Sequence, residues 1–325
     1  MRPDQYGILY LVLTSRCNLA CSYCPVPKAD LSMSRLTAES GVDLLLHDKI
    51  RELRFFGGEP LLEFELLKTI IERVQQSGKA PERLLFRITT NATLLDDDKL
   101  AFIESNPGIQ LVLSIDGSEE SHIGQRRPHA GNRKSGFDRF EKYIARITAL
   151  KRPVIVNMVV CPQNVISMVE NFTFLIRRGL RRVNILPAFY VEWSEEQILE
   201  LRSGFKKLAA LVDKLWSDGF NLEIENLHVN VEKPLLSGGL LLDCDGSVYM
   251  GDIAMLFEPG ESRRRFSLGN IERLRDLAAL TESFSPVDEK ALSRRFSDAA
   301  LTSTKRVDAE LSRFVAALKS IRKGG

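Results

Sequence analysis

The residues with the most chemical potential lie near the N-terminus, in the segment Cys17-Asn18-Leu19-Ala20-Cys21-Ser22-Tyr23-Cys24, which holds three of the five cysteines. Three thiolates on one short loop can serve a single soft metal centre. A structural zinc site asks for four closed ligands, yet neither Cys161 nor Cys244 brings a second CxxC pair. His47 lies on a helical pattern and reads as a surface histidine. The other reading is an iron–sulfur cluster held by Cys17, Cys21 and Cys24, with one iron left open to a substrate or cofactor. The spacing describes a metal or cluster site in a reducing compartment rather than a disulfide framework. A second candidate segment is Phe55-Phe56-Gly57-Gly58-Glu59-Pro60-Leu61-Leu62. Glycines there let backbone carbonyls approach a ligand closely, where a side chain would block them. Thr89-Thr90-Asn91 and Ser114-Ile115-Asp116-Gly117 are polar strand ends, which plain β-propensity and a simple turn also explain.

Each of these motifs follows an apolar run patterned as a strand. Strands are predicted over Ile8–Thr14, Leu53–Phe56, Leu84–Thr90, Gln110–Asp116, Val154–Val160 and Arg182–Leu186. Helices are predicted over Thr37–Asp48, Leu62–Gln76, Asp96–Ser105, Phe137–Leu150, Val169–Arg178 and Ser194–Ser217, with Thr37 opening the first and Ser194 capping the last. Six β-α units in this order give an α/β chain with a parallel sheet covered by helices. Periodicity alone does not separate a closed barrel from a doubly wound sheet. The position of the motifs at the C-terminal ends of strands favours the barrel.

The chain has 325 residues, 44% hydrophobic and 27% charged, enough for a sizeable core without disulfide support. Its formal charge is only +2, which argues against nucleic acid as a partner. No signal peptide and no apolar stretch of membrane-spanning length is visible, so a soluble cytoplasmic protein is expected, without a membrane partner.

The cysteine spacing, with an aromatic residue before the last cysteine, and the later Gly-Gly-Glu-Pro segment resemble the radical S-adenosylmethionine (radical SAM) superfamily. The resemblance runs in order over about residues 7 to 190. It implies that Cys17, Cys21 and Cys24 ligate a [4Fe–4S] cluster. It also implies that Gly57, Gly58, Glu59 and Pro60 hold the amino group of SAM, and that Thr90, Asn91, Ser114 and Asp116 face the ribose and substrate. Tyr23 would shield the cluster near the adenine, and the backbone at Val160 would add a second adenine contact. The expected chemistry is reductive cleavage of SAM to a hydrogen-abstracting 5′-deoxyadenosyl radical, with a flavodoxin- or ferredoxin-type electron donor. A long loop is expected over Gly117–Gly136, carrying His122, Arg126, Arg127, His129, Arg133 and Lys134. Arg126 or Arg127 would meet the SAM carboxylate or an acidic substrate, unless the loop is simply basic and solvated. Asp116, Arg126 and Asp243 are the catalytic candidates.

After about residue 221 the pattern changes to short strands at Leu222–Glu225, Leu240–Leu242 and Val248–Met250, with Asp245-Gly246 as a hairpin turn. Asp245 to Asp252 and Ser267 to Ile271 resemble the SPASM or twitch extension of peptide- and protein-modifying radical SAM enzymes. Gly251 stands where that hairpin normally has a cysteine, and no cysteine follows Cys244. An extension without auxiliary clusters is therefore expected, with Cys244 a small buried residue and Asp243, Asp245 and Asp252 as candidates for a substrate-side base, although turn chemistry explains Asp245 equally well. The predicted architecture is a partial (β/α)6 TIM-like barrel over 1–220, a small α+β SPASM-like region over 221–275 and a helical tail over 276–325. Hydrogen abstraction from a peptide or protein is the leading function; a small metabolite or nucleoside substrate and a non-catalytic iron–sulfur protein are the alternatives. Since the chain begins a few residues before the first strand, delivery of the substrate by direct contact or by a separate peptide-recognition protein is expected.

Overall fold

A computed structural model describes residues 7–47, 49–78, 81, 84–128, 136–228, 239–274 and 289–324. The strands are β1 (Ile8–Thr14), β2 (Leu19–Cys21), β3 (Glu52–Gly57), β4 (Leu85–Thr90), β5 (Ile109–Ser114), β6 (Arg126–Pro128), β7 (Ile155–Val160), β8 (Arg182–Pro187), β9 (Glu223–Ile224), β10 (Leu240–Leu242), β11 (Ser247–Met250) and β12 (Ser267–Asn270). The helices are α1 (Arg35–Leu45), α2 (Phe64–Gln76), α3 (Asp97–Ser105), α4 (Glu119–Gln125), α5 (Phe137–Thr148), α6 (Met168–Arg177), α7 (Glu195–Ser217), α8 (Glu261–Arg264), α9 (Glu289–Arg295) and α10 (Asp298–Gly324). Contacts divide the chain into two compact units, one of Met1–Leu19, Val26–Leu111 and Leu235–Glu289, the other of Ala20–Pro25, Val112–Pro234 and Lys290–Gly325.

In the first unit the strand order is β12-β11-β10-β1-β3-β4. β1 lies parallel to both β3 and β10, and its residues from Leu9 to Thr14 are all buried, as a strand covered on both faces requires. β10, β11 and β12 are antiparallel, with Leu241 opposite Tyr249 and Leu242 opposite Val248. α1 starts two residues before the expected Thr37, because Ser34 is the cap and its side chain accepts the Thr37 N–H at 3.0 Å. The helix expected from Leu62 is divided: Pro60–Glu63 forms a 3-10 turn, and α2 follows.

In the second unit β5, β7, β8 and β9 are parallel neighbours in that order, with Val112 beside Ile155 and Val156 beside Val183. Within each unit the helix-linked parallel strands (β1-β3-β4 and β5-β7-β8) follow chain order without the reversal that defines a doubly wound sheet. α7 opens with a full capping box, Ser194 and Gln197 each bonding the other's backbone N–H. α10 packs on α7 through stacked Phe205 and Phe314 rings, 4.7 Å apart, and the Arg202–Glu310 ion pair at 2.7 Å.

The stretch after Gly117 is not the continuous loop expected. Ser118 caps α4, Glu119 and Glu120 add early negative charge, and β6 follows directly. β6 pairs with β2 in a separate two-stranded sheet. Of the basic residues in that stretch, His129, Arg133 and Lys134 lie outside the described residues, as does the start of the expected helical tail. No helix among the described residues is long and apolar enough to cross a membrane.

Candidate functional site

Cys17, Cys21 and Cys24 follow β1; none is in a disulfide and all three are of intermediate exposure. Among the described residues no three His, Cys, Asp or Glu side chains converge on a single-ion site. A cubane asks for a different arrangement, with each thiolate on its own iron, and three accessible thiols on one loop supply that donor set. Cys161 and Cys244 are buried, and loss of solvent pushes their thiols up to about 11 and about 12. Cys244 donates to the Val12 carbonyl at 3.2 Å, a core contact rather than a ligand position.

In the first unit, the segment after β3 folds back onto the backbone that leads to Cys17. Gly58 N–H donates to Thr14 O at 2.8 Å and Glu59 N–H to Arg16 O at 2.9 Å. A Cβ on Gly58 would lie 1.8 Å from the Arg16 carbonyl oxygen, so only glycine permits the approach. The sequence attributes these glycines to contact with a ligand; here protein backbone fills the space beside Gly58. Glu59 is buried, and its carboxylate accepts from Leu61 N–H (3.1 Å), Thr90 Oγ1 (2.7 Å) and Asn91 N–H (2.8 Å). It thereby joins the loop after β3 to the end of β4. Asn91 continues the network: its Nδ2 donates to Asn18 Oδ1 at 2.9 Å and its Oδ1 accepts from Thr93. Asn18 in turn donates to Thr93 Oγ1 at 2.6 Å, tying the neighbour of Cys17 to the residues after β4.

In the second unit, Asp116 and Arg126 form one buried pair. Arg126 donates from Nε and Nη2 to the two carboxylate oxygens, both at 2.9 Å. The same carboxylate accepts from Tyr23 OH at 2.8 Å and from Val159 N–H at 3.1 Å. The Arg126 guanidinium also lies over the Tyr23 ring, 5.4 Å from its centre. Burial opposes the Arg126 charge, but Asp116 outweighs it and its pKa is raised. Loss of water around the Tyr23 phenol moves its pKa well up from the usual range, with Arg126 opposing and Asp116 assisting. His122 is fully buried; its Nδ1 accepts the Asp116 N–H at 3.4 Å and its ring packs on Phe137. Burial first, and then the Arg126 charge, lower its pKa to about 4. Gly117 turns the chain with φ of 138°, and a side chain there would strike Asn171.

Ser114 ends β5 half-buried, beside Asn157. Val160 is buried at the end of β7, and its carbonyl accepts the Ala188 N–H at 2.7 Å. Arg127 is exposed and donates to the Gly124 carbonyl. Asp243, in the first unit, accepts from Arg263 Nη1 at 2.7 Å and from Cys244 N–H at 2.8 Å, so both its oxygens are engaged. Asp245 accepts from Ser247 N–H and from Arg264, as a turn residue does. The sequence reading missed Arg263, whose side chain is fully buried inside an apparently solvated Arg-Arg-Arg run. It also missed Asn18, which reads as a mere spacer between the cysteines, and Gln125, a polar residue with no motif to mark it.

Comparisons with known proteins found relatives, solved structures of the same fold and a family match. A protein of Methanocaldococcus jannaschii, "Uncharacterized protein MJ0907", is 29% identical over 253 residues, covering 75% of this chain and 85% of its own. A GTP 3′,8-cyclase of Chlorobaculum tepidum is 28% identical over 235 residues, covering 69% of this chain and 62% of its own, so the match spans under two thirds of that enzyme. The PqqA peptide cyclase of Gluconobacter oxydans is 25% identical over 278 residues, covering 78% of this chain and 74% of its own. Among solved structures, native anSMEcpe with bound AdoMet and Cp18Cys peptide superposes with a TM-score of 0.74 at 17% identity, covering 97% of this chain and 99% of that one; it has the same fold. The radical SAM superfamily model matches residues 11–176, more than half of the chain and the span that carries the cysteines, the Gly-Gly-Glu-Pro loop and Asp116. This chain belongs to the radical SAM superfamily, enzymes that use a [4Fe–4S] cluster and S-adenosylmethionine.

Proposed function

We propose that this radical SAM enzyme abstracts hydrogen from a peptide or protein substrate, modifying a side chain by oxidation, cross-linking or epimerisation. The observation that carries the reading is the extent of the structural match. The peptide-bound anSMEcpe structure accompanies 97% of this chain, which takes in the antiparallel β10–β12 region as well as the parallel strands. The relative named as a peptide cyclase also covers 78% of the chain.

Cys17, Cys21 and Cys24 would hold the cluster, and their close spacing and intermediate exposure, with no disulfide among them, support that assignment. Once bound, the cluster and S-adenosylmethionine supply one-electron cleavage of the sulfonium and a carbon radical able to take hydrogen. The loop Gly57–Pro60, Thr90, Asn91, Ser114 and Val160 are the residues we assign to the SAM side. Their support is that, within the first unit, Gly57–Pro60, Thr90 and Asn91 stand at the C-terminal ends of β3 and β4, and, within the second, Ser114 and Val160 end β5 and β7. A flavodoxin- or ferredoxin-type donor would deliver the electron, and a separate peptide-recognition protein would present the substrate. We also propose the division into a core over 1–220, an extension over 221–275 and a tail over 276–325. The change from parallel strands to the antiparallel β10–β12 supports it.

A nucleotide substrate is the second reading, favoured by the GTP 3′,8-cyclase relative. Anaerobically reconstituted, dithionite-reduced protein should form 5′-deoxyadenosine from SAM, and Cys24→Ala should not. Stimulation by candidate peptides but not by GTP supports the first reading. Stimulation by GTP with formation of a modified nucleotide overturns it.

A further inference from the structure

The segment that carries Cys21 and Cys24 is held from outside itself, and the holding points converge on one buried ion pair. Ser22 N–H donates to the Gln125 carbonyl at 2.9 Å and Ser22 Oγ to the Gln125 side chain at 2.5 Å. Tyr23 OH bonds Asp116, and the next residue after Gln125 is Arg126, bidentate on the same carboxylate. The side chains of Asp116 and Arg126 are 0% and 7% exposed, so neither charge is screened by water. Cys21 ends β2 and Arg126 opens β6, the two strands that pair in the small sheet, which brings the ion pair beside Cys21.

We propose that Asp116 and Arg126 are positioning residues: the pair anchors the Cys21–Cys24 segment through Tyr23 and, as two opposed buried charges beside Cys21, sets the reduction potential of the cluster. Neither residue then needs to touch substrate. A low-dielectric site makes the sign of the effect definite. Removing the cation leaves a buried anion beside an already anionic cluster and disfavours the added electron; removing the anion does the opposite.

The proposal rests on Cys21 and Cys24 as cluster ligands, and the two fail separately. Loss of the iron–sulfur EPR signal in Cys24→Ala tests the ligands; the direction of a potential shift tests the pair. Arg126→Gln, Asp116→Asn and their double variant are reconstituted anaerobically, assayed for iron and sulfide, and titrated by EPR. Arg126→Gln should shift the midpoint to more negative values and Asp116→Asn to more positive values, while the double variant stays near the parent. The double variant also guards against a single variant that fails to fold, because it leaves no unpaired buried charge. Tyr23→Phe keeps both charges and should release iron to a chelator faster at an unchanged potential. Single-variant shifts in the same direction, or a double variant displaced as far as either single, would overturn the electrostatic role. Unchanged iron release in Tyr23→Phe would overturn the anchoring.

Discussion

Arg263→Met should loosen the β10–β12 region by about 3–5 kcal/mol, the usual cost of leaving one partner of a buried ion pair alone. In the native structure the Arg263 side chain is 0% exposed. It donates to Asp243 at 2.7 Å and twice to the Phe257 carbonyl, at 2.9 and 2.8 Å. The substitution strands the Asp243 carboxylate, 6% exposed, and takes both donors from that carbonyl. Arg264→Met is the matched control: it removes the same charge one residue later, where Arg264 is 61% exposed and pairs with Asp245. An exposed pair of that kind contributes about 0–1 kcal/mol. Since the chain has two compact units, a single melting curve is a poor readout, and local hydrogen exchange is the suitable assay. At about 1.4 kcal/mol per tenfold, amides of residues 240–250 should exchange roughly a hundredfold faster or more in Arg263→Met, and almost unchanged in Arg264→Met. Adding Asp243→Asn to Arg263→Met should recover part of the loss. Equal protection in the two single variants would refute the assignment of Arg263 as the buried tie of this region.

Four further outcomes follow from the site. Gly58→Ala places a methyl group where the Arg16 carbonyl lies 1.8 Å away, so it should displace the backbone before Cys17 and lower iron content after reconstitution; full iron loading would refute the docking argument. Glu59→Gln weakens an acceptor of three hydrogen bonds and should lower local stability by about 1.5–3 kcal/mol, read as faster hydrogen exchange at residues 85–91 of the apoprotein. His122 is lowered to about 4, so between there and about 6.5 the unfolded chain binds a proton that the folded chain refuses. Stability from this residue is complete above about pH 6.5 and declines by about 3 kcal/mol as pH falls toward 4; local opening of residues 109–125, followed by hydrogen exchange against pH, should lack that slope in His122→Asn. At about pH 8 the buried thiols of Cys161 and Cys244 remain protonated, so alkylation of the native apoprotein should mark Cys17, Cys21 and Cys24 first, as peptide mass mapping would show.

What was legible in the sequence was whatever periodicity or local chemistry decides. β1 runs over Ile8–Thr14 as read, because an apolar run buried on both faces has abrupt polar ends. Ser194 caps α7 as read, since its Gln197 partner is three residues away. α4 was not legible: its seven residues carry too little apolar pattern, and its buried His122 looks polar in sequence. Asp116 and Arg126 were both singled out, but as ligand-facing residues. Their pairing depends on α4 and β6 returning the chain to the end of β5, which no local signal reveals. Arg263 was hidden for the complementary reason: its neighbours Arg264 and Arg265 are the exposed residues that the run advertises.

The connection between β8 and α7 has a consequence for synthesis. Tyr190 N–H donates to Thr304 Oγ1 at 2.7 Å and Trp193 N–H to Ser303 Oγ at 3.0 Å, partners 114 and 110 residues further along the chain. Both donors are buried in the finished protein, and neither has its acceptor until α10 has been made. At roughly 5–20 residues per second, a nascent chain waits on the order of ten seconds between the two events. During that interval the ribosome presents four parallel strands of the second unit with an incomplete seam. The interleaving of the two units along the chain prolongs the same exposure for the first, which closes only with β10–β12. This topology therefore leaves both units incomplete through much of translation, however stable the finished enzyme is.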